Sequence, residues 1–342
     1  METVRKNRIR FGVGVFISVL CLYLAFRSVD FGKMGQAFRA ANYWDLIPAI
    51  AALFFSHLVR SVRWRYLLDP LRRLDTSSLF SSLIIGYAGN TFMPAHLGEL
   101  VRAYVLSRKR QLAMSAVFAT IVVERITDLF SLVGLMLLSL LFYPFPAWVI
   151  QSGCIIFVVT TGILLLLIFL KKGSSTAIRF TGFALKVLPD RTARKVRSAL
   201  DNLLAGILPL KHWHDYFTIA CLSIVIWVCY GLVFYFCLQA FDFVEIYRLA
   251  WSASLILLVI TTIAVVVPSS PGYVGTYHYL CQITLAMFGV PAGPALSFAT
   301  VVHGVNIFPV FAVGLFLAHH EGMAITKMSQ AGAQIEGRAS QE

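Results

Sequence analysis

The sequence predicts an all-α polytopic integral membrane protein: about six full spans plus two re-entrant helical hairpins, in two internal repeats that are inverted if Leu249 to Val267 re-enters from outside, the reading adopted, and parallel if it spans fully. Three observations predict it. Of 342 residues, 58% are hydrophobic and 13% charged, whereas a soluble domain is about a quarter charged. The apolar residues fall into blocks, several of them long enough to cross a bilayer as helices. Two shorter blocks end at Pro/Gly tips, at corresponding places in the two halves of the chain.

The 29 Lys+Arg against 16 Asp+Glu give a net charge of +13. The excess lies in clusters beside apolar blocks, which suits cytoplasmic anchoring and attraction to anionic lipid. A nucleic-acid partner would need a solvent-exposed basic domain, and no basic stretch is long enough to form one. The six cysteines lie inside apolar runs without CxxC spacing, so neither disulfides nor a metal site is expected.

Span one covers about Ile9 to Val29, behind Arg5, Lys6, Arg8 and Arg10, and lacks a small-x-small cleavage site. We read it as an uncleaved span with a cytoplasmic N-terminus. Span two covers about Tyr43 to Leu67. Arg60, Arg63, Arg65, Arg72 and Arg73 are read as its cytoplasmic anchor, with Tyr43, Trp44 and Trp64 at the interfaces. Leu79 to Met93 is about 15 residues, too short to cross about 30 Å of hydrocarbon. Pro94 stops it, and a second short helix, Gly98 to Arg110, follows. Together they read as a hairpin dipping in from the basic side, whose irregular tip must be buried in protein or line a cavity.

Span three, about Ala113 to Phe142, contains Glu124, Arg125 and Asp128, and Trp148 marks its far interface. Span four, about Val149 to Leu170, returns to Lys171 and Lys172. From Ser174 to His214 the chain is basic and amphipathic, with Val196, Leu200, Leu203 and Ile207 opposite Arg191, Arg194, Lys195 and Arg197; it reads as an interfacial helix on the cytoplasmic leaflet. Span five is about Tyr216 to Ala240. Leu249 to Val267, the tip Pro268 to Gly272, and Tyr273 to Phe288 form the second hairpin. A last span, about Pro294 to Ala318, precedes a polar tail, 319–342, expected to be disordered.

The repeat is written in short matches. Phe118-Ala119-Thr120 recurs as Phe298-Ala299-Thr300, and Pro94-x-x-x-Gly98 recurs upstream of it as Pro271-x-x-x-Gly275. The halves are about 79–142 and 249–318, within one membrane domain over 1–318. Broken helices at matching places in two halves are a pointer to a transporter site.

Ionisable groups at membrane depth are functional candidates by default. Glu124, Arg125 and Asp128 fall within about 100° of helical arc. Two readings of them stand: a self-neutralising cluster that locks helices together, or a site that holds a charged head group or carries a proton. Glu99 and Arg102 share the ambiguity beside the Pro94 and Gly98 tip. A helix starting at Gly98 would point backbone N–H groups at a phosphate, with Gly86 and Gly89 allowing close approach. The tip residues Pro271, Gly272 and Gly275 would present a second such end. Asn90, His96, Tyr273, His278 and His303 complete the candidate substrate-binding set. No Ser/His/Asp order, HExxH, Walker loop or GxGxxG is present, which argues against ATP-driven transport and recognisable hydrolase chemistry. No catalytic residue, metal or cofactor is expected.

Asn90 through Arg102 (NTFMPAHLGELVR), then Glu124-Arg125-x-x-Asp128, then Pro268-x-x-Pro271-Gly272-x-x-Gly275, resembles the membrane region of the lysylphosphatidylglycerol synthase/flippase family over about residues 10 to 318. The resemblance implies a flippase-like domain without the soluble aminoacyl-transfer domain of the full synthases. Two positions depart from it: His96, where many relatives carry Arg, and His278, where an acidic residue is common. The expectation is a flippase in the bacterial inner membrane, moving a phospholipid or polyprenyl-phosphate-linked lipid through a central polar cavity. Arg102 and Arg125 would meet phosphate, and the carboxylates would orient them. The rivals are a membrane enzyme acting on a lipid head group and a non-catalytic scaffold for a glycosyltransferase. A homo-oligomer or a partner glycosyltransferase is the expected protein contact.

Overall fold

A computed structural model describes residues 16–27, 29–93, 97–172, 190–207, 209–210, 212–266 and 270–322. All regular structure among them is helical. In order these are α1 (Phe16–Phe26), α2 (Phe31–Ala40), α3 (Leu46–Leu68), α4 (Thr76–Phe92), α5 (Gly98–Arg110), α6 (Met114–Ser139), α7 (Ala147–Lys171), α8 (Asp190–Gly206), α9 (Trp213–Ala240), α10 (Phe243–Ile246), α11 (Ser252–Val266), α12 (Thr276–Ala286) and α13 (Ala292–His320). A chain in hydrocarbon must satisfy its backbone internally, and helices do so within one segment.

The helix starts are written locally. Asp30 caps α2 by accepting from the Gly32 and Lys33 N–H groups, and Asp75 caps α4 by accepting from Ser78 N–H. Gln111, at φ 52°, closes α5 in the left-handed conformation that ends a helix. Pro146 and Pro291 stand immediately before α7 and α13, where their missing N–H costs nothing.

Four helical stretches among the described residues are long and apolar enough to span: Tyr43–Leu68, Ala147–Lys171, Trp213–Ala240 and Ala292–His320. Of the six expected spans, the third is α6. Its 26 residues reach about 39 Å, but its charged triad breaks the apolar run. The first is described only from Phe16 on, so its basic leader lies outside the described residues. The same holds for residues 173–189 of the amphipathic segment, for Pro94 and His96, for Pro268, and for most of the tail. The rest of the amphipathic segment is α8, which packs on α6 and α7 with Arg194 and Arg197 exposed.

The two broken units run in opposite directions. α4 and α5 form a hairpin whose open ends lie with Arg72, Arg110 and the end of α13: Arg72 donates to the Arg110 carbonyl, and Lys109 pairs with Glu321 beside Ser81. α11 and α12 form the other hairpin, whose open ends lie with the end of α1 and the start of α13: Gln282 Nε2 donates to the Ala25 and Ala292 carbonyls. The tips meet inside the bundle, where a Cβ on Gly272 would stand 3.4 Å from the Thr91 carbonyl oxygen.

One end of the bundle gathers Arg72, Arg73, Arg108, Lys109 and Arg110; the other carries Asp30, Asp45, Asp242 and Glu245 balanced by Arg27, Lys33, Arg39 and Arg248. Exposed Trp44, Trp148 and Trp251 ring the balanced end, and Trp213 marks the basic one. The largest core cluster joins α9, α11, α12 and α13. α7 stays peripheral, with Ile155, Val158 and Leu165 exposed.

Three side chains read as interfacial are placed differently. Arg60, Arg63 and Trp64 are 3%, 0% and 0% exposed. They precede the end of α3 by one to two turns, which is deep enough to reach partners on α6 rather than water.

Candidate functional site

α3 points Arg60 and Arg63 at α6, and both meet its carboxylates. Arg60 Nη1 donates to Glu124 Oε1 and Asp128 Oδ2, each at 2.8 Å; Arg63 Nη2 donates to Asp128 Oδ1 at 2.6 Å. Ser223 of α9 accepts from Arg63 Nη1 at 2.8 Å. From α5, Arg102 donates to Glu124 Oε2 at 2.8 Å and stacks on the Trp64 ring at 3.6 Å. Trp64 Nε1 in turn donates to Thr120. Glu124 is fully buried, so α3, α5 and α6 are tied through one carboxylate.

Arg125, one residue on, turns the other way. Its Nε lies 2.7 Å from Glu99 Oε1 and its Nη1 lies 3.5 Å from Asp128 Oδ2. Its side chain is 34% exposed, against 1% for Arg102 and 0% for Arg63. The exposed part faces a cavity of about 510 Å³ lined by Arg60, Glu99, Arg125 and Asp128 on one side. Tyr87, Trp227, Tyr230 and Tyr273 form an aromatic wall, and His303 and Asn306 of α13 close the far side. The cavity wall holds two guanidiniums and two carboxylates; over the whole cluster, Arg63, Arg102 and Glu124 included, four guanidiniums meet three carboxylates.

The candidate set therefore divides. Asn90, Glu99, Arg125, Asp128, Gly272, Tyr273 and His303 line the cavity. Arg102 and Glu124 do not: both are buried and pair with each other behind it. His278 also stays off the cavity wall. Its ring packs 4.8 Å from that of His303, whose Nε2 is 2.8 Å from the Gly272 carbonyl. A carbonyl only accepts, so His303 carries its hydrogen on Nε2. His96 and Pro94 lie outside the described residues. Pro271 and Gly272 form a short 3-10 turn, and Gly275 holds φ 95° where a Cβ would collide with the Ser18 carbonyl.

The N-terminus of α5 also differs from expectation. Asn90 Oδ1 accepts from Gly98 N–H at 2.8 Å, and Leu97 O takes the Leu100 and Val101 N–H groups. Gly86, Gly89 and Gly98 serve the contact between α4 and α5: a Cβ on Gly86 would stand 2.7 Å from Arg102 Cβ, and one on Gly98 would collide with the Gly86 carbonyl. Close approach there is helix to helix.

Sequence reasoning missed His57, Arg60, Tyr87, Trp227 and Tyr230. The signal available was depth: His57 and Arg60 stand on one face of a helix three residues apart, well inside a span.

The model for the lysylphosphatidylglycerol synthase TM region matches residues 12–314. A protein of Methanothermobacter thermautotrophicus named UPF0104 membrane protein is 22% identical over 92% of this chain and 96% of its own. Another of that name and organism is 23% identical over 79% of this chain and 81% of its own. Glycosyltransferase AglD of Haloferax volcanii is 31% identical over 39% of this chain and 22% of its own. No solved structure matches.

Proposed function

The chain belongs to the family of the lysylphosphatidylglycerol synthase TM region, and on that premise we propose that it is a transporter moving an anionic lipid between membrane leaflets. The observation that carries the reading is Arg125: a guanidinium 34% exposed in a cavity enclosed by apolar helices, in front of a buried cluster whose four guanidiniums outnumber its three carboxylates by one. A charge at bilayer depth is costly unless paired or wet. A phosphate entering from the membrane would complete its pairing, while the aromatic wall would flank the head group and the first acyl or prenyl carbons.

In this reading the hairpins α4–α5 and α11–α12 are re-entrant from opposite leaflets, and their touching tips separate the two sides. Rocking of one unit against the other would alternate access to the cavity. The basic end is cytoplasmic by the excess of Lys and Arg in its short connections, and the membrane is the bacterial inner membrane. The AglD match favours a second reading, a non-catalytic membrane partner of a glycosyltransferase.

The test is reconstitution into liposomes carrying acyl-labelled fluorescent lipids, with dithionite quenching the outer leaflet. Wild type should render inner-leaflet anionic lipid accessible, and Arg125→Ala at equal reconstitution should not. Equal rates for both proteins and for empty liposomes would remove the transport reading. A glycosyltransferase co-purifying at fixed stoichiometry would then support the second.

A further inference from the structure

We propose that α13 is the hinge on which the two hairpin units move, and that it bends at Pro309, at the level of the cavity. The inference rests on the transport reading for its setting and on the packing of α13 for its content.

α13 is shared between two bodies. Its first half belongs with α2, the end of α9 and the second hairpin. Ser297 Oγ donates to the Met34 carbonyl at 2.9 Å, Gln282 Nε2 donates to the Ala292 carbonyl at 3.1 Å, and the Phe298 ring packs 5.7 Å from those of Phe241 and Phe243. His303 holds the Gly272 carbonyl at 2.8 Å, so the tip of that hairpin travels with this half. The second half belongs with the first hairpin. A Cβ on Gly314 would stand 2.5 Å from Ala88 Cβ, Ala318 packs with Ile85, Val101 and Val105, and Glu321 pairs with Lys109.

Between the halves the helix is at its weakest. Pro309 lies inside α13; it has no N–H, so the Val305 carbonyl is left without its helical partner, and the proline ring crowds that same carbonyl. Asn306 does not replace the bond, because its Nδ2 donates to the Val302 carbonyl at 2.8 Å. Gly304 adds a residue with no side chain to restrain the backbone. Proline and glycine are the ordinary causes of bending in a helix. Asn306, Ile307 and Val310 of the same stretch line the cavity. A bend there displaces the cavity wall and carries Gly272 away from Thr91.

α6 supplies the contrast. At the spacing that matches Phe118-Ala119-Thr120 with Phe298-Ala299-Thr300, Leu129 stands where α13 has Pro309. α6 contains no proline, and Glu124 ties it to α3 and α5. One helix of the matched pair is held straight and the other is free to bend.

The experiment reads the hinge apart from transport. Hydrogen exchange of the purified full chain in lipid nanodiscs is followed by mass spectrometry over residues 302–313 and over the matching stretch of α6, residues 122–133. Dithionite quenching in liposomes reads lipid movement. Four proteins are compared, each with its size-exclusion profile checked first: wild type, Pro309→Ala, Pro309→Gly and, as control, Phe308→Ala, whose side chain is on the outer surface at 72% exposed. Protection of 302–313 in wild type should lie about fivefold or more below that of 122–133, the factor for one missing hydrogen bond. Pro309→Ala restores that bond, and should raise the protection and slow lipid movement about fivefold each. Pro309→Gly restores the donor on a pliant backbone, and should move lipid within about twofold of wild type, as should Phe308→Ala. Equal protection of the two stretches, or wild-type lipid movement by Pro309→Ala, would overturn the hinge and leave transport standing. Low protection that Pro309→Ala raises, with no lipid moved by any of the four proteins, would support the hinge and remove the transport reading.

Discussion

Glu124→Gln separates the buried lock from the cavity. The change keeps the side-chain volume and one acceptor oxygen but removes the charge. Arg60 keeps Asp128 at 2.8 Å and Arg63 keeps it at 2.6 Å. Arg102 pairs with Glu124 and with no other carboxylate among the described residues, and its side chain is 1% exposed. Its stack on Trp64 survives in both proteins and cancels. Removing one partner of a buried pair costs about 3–5 kcal/mol. The lower part of that range applies, because Gln still accepts one hydrogen bond. At about 2–4 °C per kcal/mol for a chain of a few hundred residues, the melting temperature in detergent should drop by about 6–12 °C. Arg102→Met on the same background removes the orphaned cation, so the double variant should be more stable than the sum of the single effects by about 1 kcal/mol or more. A Glu124→Gln protein melting within about 2 °C of wild type, or strictly additive effects in the double variant, would refute the assignment of Glu124 as the lock.

Arg125→Gln should cost much less stability, about 1 kcal/mol or less because a partly exposed pair is weak, while ending lipid movement; a melting loss as large as that of Glu124→Gln would place Arg125 in the lock instead. Gly98→Ala should prevent recovery of monodisperse protein, since the added Cβ collides with the Gly86 carbonyl and Asn90, whereas Gly134→Ala, with nothing within 4 Å, should behave as wild type; normal yield of the former would show that the two hairpin helices can part. In a cysteine-free background, a single cysteine at Glu245 should react with an impermeant maleimide in whole cells and one at Arg108 only after lysis, and the reverse pattern would invert the orientation. Glu321→Gln breaks the exposed pair with Lys109 and should shift the melting temperature by about 2 °C or less.

The helices and their polar load are legible in the chain alone. Runs of apolar residues must fold into segments that satisfy their own backbone in lipid, and Asp30, Asp75, Pro94, Pro146 and Pro291 mark where those segments begin and end. The charged residues on α6 were legible because ionisable groups are rare at such depth.

Which charges close on one another and which look into space depends on how the helices pack. Glu124 and Arg125 are neighbours in sequence and lie about 100° apart around α6. One meets α3 and α5 and is sealed; the other meets the gap left where two tips come together. The partners of Glu124 come from α3 and α5, at separations of 64 and 22 residues. No local pattern specifies that pairing, because the packing of whole helices sets it. For the same reason Arg60 and Arg63 read as an interfacial anchor in the chain and stand as counter-ions in the bundle.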